Sequence, residues 1–282
     1  MPPEYTLLDA GDARRLERFG DRTVLRPAPG ATSPRRDPDR WSGASAVYER
    51  EAGSTGRWVA RDREPWQLGI RDLRLELRLA AGGQVGLFPE HLQHADWLRD
   101  RVVEAGGGAV LHLFAYTGAL SLVAAAAGAS VAHVDASRSA VAWARRNAEL
   151  SGLGDRPIRW LVDDAERFVG RELTRRRSYV GAIVDPPSYG HGPAGRAWRL
   201  SERLDGLLRG VVGLLEGPQR FLLLTAHTPG FGPQVLAGYL GSALDDWSIE
   251  AGELGLTAET GARLPLGAFA RWSAAASASP PA

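Results

Sequence analysis

The rhythm of apolar and polar positions changes once along the chain, near Gly106-Gly107-Gly108. Upstream, apolar stretches are short, mixed with Arg and Trp, and broken by turn residues. LRLELRL (73–79) alternates apolar and charged positions, the period of a half-exposed strand, and WQLGIRD (66–72) is placed to pair with it. RPAPGATSPRRDPDR (26–40) reads as a proline-rich loop, in part a mobile one. GQVGLFPE (83–90) leads into HLQHADWLRDRVVEA, whose spacing predicts a helix. The expectation is a small β-rich amino-terminal domain over 1–82, followed by a connecting segment and helix over 83–108.

Downstream the pattern becomes strand, helix, strand, helix. AVLHLFA (109–115) is a buried strand and TGALSLVAAAAG (117–128) a helix closed by Gly128. SVAHVD (130–135) is the next strand, and SRSAVAWARRNAELSG (137–152) a helix with Ser137 as N-cap and Gly152 as stop. PIRWLVDD and AERFVGRELTRR repeat the pair. SYVGAIVD, RLSERLDGLLRGVVGLLE and QRFLLLT supply a fourth strand, its helix and a fifth strand. Such alternation predicts an α/β fold, a parallel sheet with helices on both faces, over 109–272. SAAASASPPA (273–282) reads as a disordered tail.

Composition narrows the chemistry. The chain has 282 residues, a formal net charge of +1 and no cysteine. Thiolate metal sites and a cysteine nucleophile are thereby excluded, and whole-chain charge does not demand a polyanionic partner. Every basic side chain is Arg, none Lys. The amino terminus lacks the pattern of a signal peptide, and no stretch reaches the roughly 18 uncharged apolar residues of a membrane span. These features predict a cytoplasmic protein without a membrane partner. His91, His191 and His227 have no metal-ligand spacing, so no metal is expected. Trp41, Trp58, Trp66 and Trp97 are expected in packing roles, and Arg175-Arg176-Arg177 at a solvated helix end.

Ligands of open parallel sheets lie beyond the carboxyl ends of the strands. The first strand ends in FAYTGA (114–119), where Thr117-Gly118 lets backbone approach a ligand and opens a helix. The second ends at Asp135, 17 positions after Gly118, where a carboxylate can accept both hydroxyls of a ribose. The third ends at Asp163-Asp164-Ala165, suited to an exocyclic amine such as that of adenine. The fourth ends at Asp185, held extended by Pro186 and Pro187. A dinucleotide needs the fuller Gly-x-Gly-x-x-Gly turn, which FAYTGAL lacks. Adenosine without a diphosphate fits better, and S-adenosylmethionine is such a molecule.

VLHLFAYTGALSLVAAAAGA, HVDASRSAVAWARRNAELSGL, WLVDDAERFV and IVDPPSYG, in this order, resemble the class I methyltransferases of the ribosomal-RNA type. The similarity covers roughly 83–272. It is greatest to the large-subunit enzymes that modify cytosine C5 or guanine N7. The resemblance implies a Rossmann-like class I methyltransferase sheet, S-adenosylmethionine as cofactor and RNA, ribosomal in first place, as substrate. It also implies Phe114, Tyr116, Thr117 and Gly118 around the methionine part, and Asp135 on the ribose with Ala136 and Ser137 beside the adenine. Asp164, or its neighbour Asp163, next to Ala165, would meet the adenine amine. Asp185 and Pro186 would floor the transferred methyl. GLFPEH (86–91) resembles the segment that closes over the cofactor, which brings in Phe88 and His91.

In one respect the chain departs from the cytosine enzymes. Thr225-Ala226-His227 stands where those relatives carry a cysteine between two serines. Carbon 5 of cytosine is not nucleophilic until a thiolate adds to the ring, so that route is closed. Asp185-Pro186-Pro187-Ser188 also resembles the Asp/Asn-Pro-Pro-aromatic box of amino methyltransferases, with Tyr189 one place beyond the aromatic position. A nitrogen acceptor is therefore expected, with Asp185, Pro186, Pro187 and Tyr189 facing it. Whether Tyr189 stacks on a base or merely packs is left open by the sequence. The competing expectations are a small-molecule or protein methyltransferase, and a silent cofactor-binding or RNA-binding protein.

Overall fold

The structure is a computed structural model and describes residues 4–50, 56–191, 197–246 and 248–274. Of the predicted tail 273–282, Ser273 ends a strand that pairs into the sheet, while residues from 275 onward, like the His191 side chain, lie outside the described residues. The chain divides into two compact units: Met1–His91 with Leu254–Leu266, and Leu92–Glu253 with Gly267–Ala282.

In the first unit, β1 (Tyr5–Gly11), β2 (Arg14–Phe19), β3 (Arg22–Pro27), β4 (Ala46–Glu49) and β5 (Arg57–Ala60) form one sheet in that order. All its pairs are antiparallel except β3 with β4. β6 (Trp66–Ile70) and β7 (Leu73–Leu77) make the antiparallel hairpin the alternation predicts. A buried ion pair crosses the larger sheet: Arg26 donates to both carboxylate oxygens of Glu17, at 2.5 and 3.0 Å. The proline-rich loop after β3 is tied down by Asp9. That carboxylate accepts the backbone N–H of Arg36 and of Asp37 at 3.1 Å each and the Trp41 indole at 2.9 Å. Asp9 also accepts the Thr260 hydroxyl at 2.7 Å, so residues 254–266 return to this unit 251 positions later in the sequence. Trp41, Trp58 and Trp66 are buried here, in the packing roles expected of them.

The second unit holds α1 (Ala95–Glu104), β8 (Ala109–Leu113), α2 (Ala119–Ala126), β9 (Ser130–Asp135), α3 (Arg138–Leu150), β10 (Ile158–Val162), α4 (Ala165–Thr174) and β11 (Gly181–Val184). Then come the short pair β12 (Tyr189–His191) and β13 (Ala197–Arg199), α5 (Leu200–Val212), β14 (Phe221–Ala226) and α6 (Pro233–Leu244). A final hairpin, β15 (Glu250–Thr257) and β16 (Arg263–Ser273), completes a sheet ordered β10-β9-β8-β11-β14-β16-β15. β10, β9, β8, β11 and β14 are parallel and β16 is antiparallel. Strand direction explains the residue choice: β11 and β14 are buried along their whole length, so they read as unbroken apolar runs.

Successive side chains point to opposite faces of the sheet. Leu111, Leu113, Val134, Val184, Leu222 and Leu224 meet the inner sides of α4, α5 and α6. The alternate positions face the other layer, where His112 of β8 meets Ser121 of α2 and Trp97 of α1 crosses Phe221 edge-on. Helices thus cover both faces, as expected. Gly181 permits close packing within the sheet, since a Cβ there would lie 2.1 Å from the Phe221 ring. Among the described residues no helix is long and apolar enough to cross a membrane.

Candidate active site at the carboxyl edge of the sheet

β8 sits between β9 and β11, so the connections leave it in opposite directions and a crevice opens beyond its end. Backbone bonds lay the strand ends side by side. Asp163 N–H donates to the Asp135 carbonyl at 3.0 Å, and Ala115 N–H to the Val134 carbonyl at 3.1 Å. Asp135, Asp163 and Asp185 thereby end three strands of this edge, with Asp164 next to Asp163.

The loop after β8 is unusual. Phe114 (φ 57°), Tyr116 (φ 48°) and Gly118 (φ 86°) all take left-handed backbone. For a non-glycine residue that conformation costs of order 1–3 kcal/mol and clusters at ligand sites. The surroundings hold it in place. Asp135 accepts Tyr116 N–H through one carboxylate oxygen and Ser137 N–H through the other, both at 2.8 Å. Asn147, buried on α3, donates to the Thr117 carbonyl at 3.0 Å. The Phe114 ring rests on Trp198 at 5.1 Å between centroids, and the Tyr116 ring approaches Trp143 at 6.1 Å. Gly118 caps α2 without a side chain, and a Cβ there would press Ala144 at 3.1 Å.

Beneath this loop lies a polar chain that sequence reasoning missed. Ser121 Oγ is 2.7 Å from His112 Nδ1 and 2.9 Å from His133 Nδ1, all three residues being buried. His112 and His133 are direct partners across β8 and β9. A hydroxyl has one hydrogen, so it donates to one ring and accepts from the other. Burial pushes the His133 imidazole down to about 3, with the Tyr116 backbone pulling weakly the other way.

Asp135 is half-buried. Burial raises its carboxyl above the ordinary value, the Ser137 and Tyr116 amides pull it back, and neighbouring Asp185 adds to the rise. Ser137 caps α3 as expected, accepting Ala140 N–H at 3.2 Å, and Ala136 beside it is exposed. Asp164 caps α4, with one oxygen accepting Arg167 N–H at 3.0 Å. Asp163 accepts Asp164 N–H at 2.9 Å and pairs with Arg171. Ala165, the first residue of α4, is buried.

The Asp185-Pro186-Pro187 box follows β11. Asp185 Oδ1 accepts the Thr225 hydroxyl at 2.5 Å and has His227 Nε2 at 3.8 Å. The Pro187 carbonyl is taken by the Trp198 indole at 2.7 Å, and Ser188 bonds Thr228 at 2.7 Å. Among the described residues the Pro186 carbonyl carries no hydrogen bond. Tyr189 is 76% exposed. Phe88 and His91 belong to the first unit, where their rings stack at 5.5 Å. Thr225, Trp198, Asn147 and His227 were not singled out for this edge by the sequence; His227 in particular reads there as incidental.

The donor set fits an adenosine-bearing group. Each Asp135 oxygen accepts one backbone N–H, and a carboxylate oxygen has a second lone pair for a ribose hydroxyl. The N–H groups at the start of α2 have no side-chain cap to compete with a ligand carboxylate. A parallel sheet with a reversed strand order, a carboxylate ending its second strand and a left-handed loop after its first defines a nucleoside-binding α/β enzyme. Within that class the chain belongs to the S-adenosylmethionine-dependent methyltransferase family, whose sequence profile matches residues 44–246.

The crystal structure of a SAM-dependent methyltransferase from Agrobacterium tumefaciens is similar over 96% of this chain and 91% of that one, with TM-score 0.90 and 34% identity. A ribosomal RNA large subunit methyltransferase K/L from Methylococcus capsulatus is 35% identical over 123 residues, which is 43% of this chain and 16% of the relative. The K/L enzyme of Pseudomonas aeruginosa is 30% identical over 169 residues, 57% of this chain and 19% of that protein. The chain thus spans less than a fifth of these two curated relatives.

Proposed function

We propose that this protein transfers a methyl group to a nitrogen of RNA, ribosomal RNA in first place. S-adenosylmethionine would supply an electrophilic methyl on a sulfonium. One observation carries the nitrogen assignment: two fixed acceptors stand together after β11. The Asp185 carboxylate is oriented by Thr225, and among the described residues the Pro186 carbonyl carries no hydrogen bond while that of its neighbour Pro187 is taken by Trp198. Such a pair receives the hydrogens of an amine and aligns its lone pair for in-line displacement. The absence of any cysteine, with buried Ala226 at the thiol position, closes the cytosine C5 route. RNA as acceptor is supported by the names of the K/L relatives.

In this reading Asp135 binds the ribose, and Ala136, Ser137 and Ala165 line the adenine. Asp164 or Asp163 receives the adenine amine. Phe114, Tyr116, Thr117 and Gly118 wrap the amino-acid tail, while Phe88 and His91 come from the segment that covers it. Tyr189 offers an exposed ring to the incoming base. An acceptor in the ribosome places the protein in the cytoplasm, with the amino-terminal β-rich region as a separate module.

The test is transfer of labelled methyl into fractionated extract, with Asp185→Ala as control. Label in the RNA fraction that disappears with the control is the expected result, and nucleoside analysis then names the nitrogen. Label confined to protein or small molecules overturns the RNA assignment; label on carbon or a ribose oxygen overturns the nitrogen assignment.

A further inference from the structure

We infer that His227 is the proton acceptor of the transfer, an inference that rests on the nitrogen reading above. β14 runs parallel to β11, with Val184 beside Leu224, so the residues after the two strands emerge together at the carboxyl edge. Thr225 and His227 flank Ala226, the last residue of β14. Both reach the same oxygen: Thr225 by a hydrogen bond to Asp185 Oδ1 at 2.5 Å, His227 with Nε2 3.8 Å away. The longer distance is no hydrogen bond, but it lies within ion-pair range of the carboxylate. His227 keeps 30% of its side chain exposed and Asp185 18%, so part of the imidazole surface reaches solvent.

The step balances as follows. The lone pair of the acceptor nitrogen forms the new N–C bond. The methyl–sulfonium bond breaks with its electron pair left on sulfur. The proton displaced from nitrogen passes to Nε2 of His227, whose charge is met by Asp185, and later returns to water. The acceptor is accordingly a nitrogen that carries hydrogen, such as an exocyclic amine, and not a ring nitrogen with a lone pair alone.

The test uses the full chain with His227→Ala and His227→Gln. Transfer of labelled methyl into ribosomal RNA falls about 100-fold or more, the usual lower range for loss of a general base. S-adenosylhomocysteine affinity by calorimetry stays within about twofold, and added imidazole restores part of the His227→Ala rate but none of the Asp185→Ala rate. A His227→Ala rate within threefold of wild type, or a loss that imidazole never restores, overturns the inference. Should wild type label no RNA, the RNA reading falls and a second measurement decides His227 alone. The nitrogen-15 ring signals of His227, identified by their loss in His227→Gln, are compared between complexes with S-adenosylhomocysteine and with sinefungin, which carries an amine where the methyl would be. A shift between the two supports the placement; coincident signals overturn it.

Discussion

Ser121→Ala tests the buried chain under the cofactor loop. The hydroxyl links two imidazole Nδ1 atoms, at 2.7 and 2.9 Å, on strands that are direct neighbours. Removing it takes a partner from two buried ring nitrogens. Each buried polar atom left without a partner costs about 1–3 kcal/mol. Against this, alanine is the better helix former by roughly 0.5 kcal/mol in the first turn of α2. The net expectation is a loss of about 3 kcal/mol. For a unit of this size each kcal/mol moves the midpoint by about 2–4 °C, so thermal unfolding should shift down by roughly 6–12 °C. Because His133 also lies against Gly118, the S-adenosylhomocysteine affinity of the folded variant should fall too. Urea unfolding within about 0.5 kcal/mol of wild type would refute the reasoning, since no bridging hydroxyl could then be removed so cheaply.

Further outcomes follow from the same edge. Asp135→Asn keeps an acceptor for one amide but loses the charge, and S-adenosylhomocysteine should bind about 10-fold more weakly or worse by calorimetry, in line with roughly 1.5–3 kcal/mol for a charged hydrogen bond. Asp164→Ala should cost about 1 kcal/mol in urea unfolding as a lost helix cap; comparing its ligand affinity with that of Asp163→Ala tells which acid meets the adenine amine. For pH, the folded His133 sits at about 3, below the unfolded value near 6.5, so the unfolded chain binds the extra proton between the two. Stability is full above that window and is lost as pH falls through it, by about 2 kcal/mol at pH 5. Wild type and His133→Gln, each unfolded in urea at pH 7.5 and pH 5, should differ in their pH dependence by that amount; identical slopes would show that burial leaves the ring free to protonate.

What could be read in advance was what neighbours in sequence determine. Ser137 caps α3 through an amide three positions away, and Asp185 is fixed by the two prolines that follow it. The runs AIV and FLLLT announce strands buried on both faces. What escaped depends on partners far along the chain. Trp198 has an ordinary core residue's pattern, and its hold on the Pro187 carbonyl depends on the pairing of β12 with β13. The return of residues 254–266 to the first unit was not readable, because Thr260 meets Asp9 251 positions away in the sequence. One missed feature did leave a trace. VLHLF and VAHVD each set a histidine inside an apolar strand, at positions that fall opposite one another once the two strands pair. Two buried imidazoles at one height need a shared partner, and the serine in the first turn of the intervening helix is the residue within reach. The polar interior of such a sheet can therefore be sought in a sequence by aligning its strands on their ends and asking which polar residues fall level.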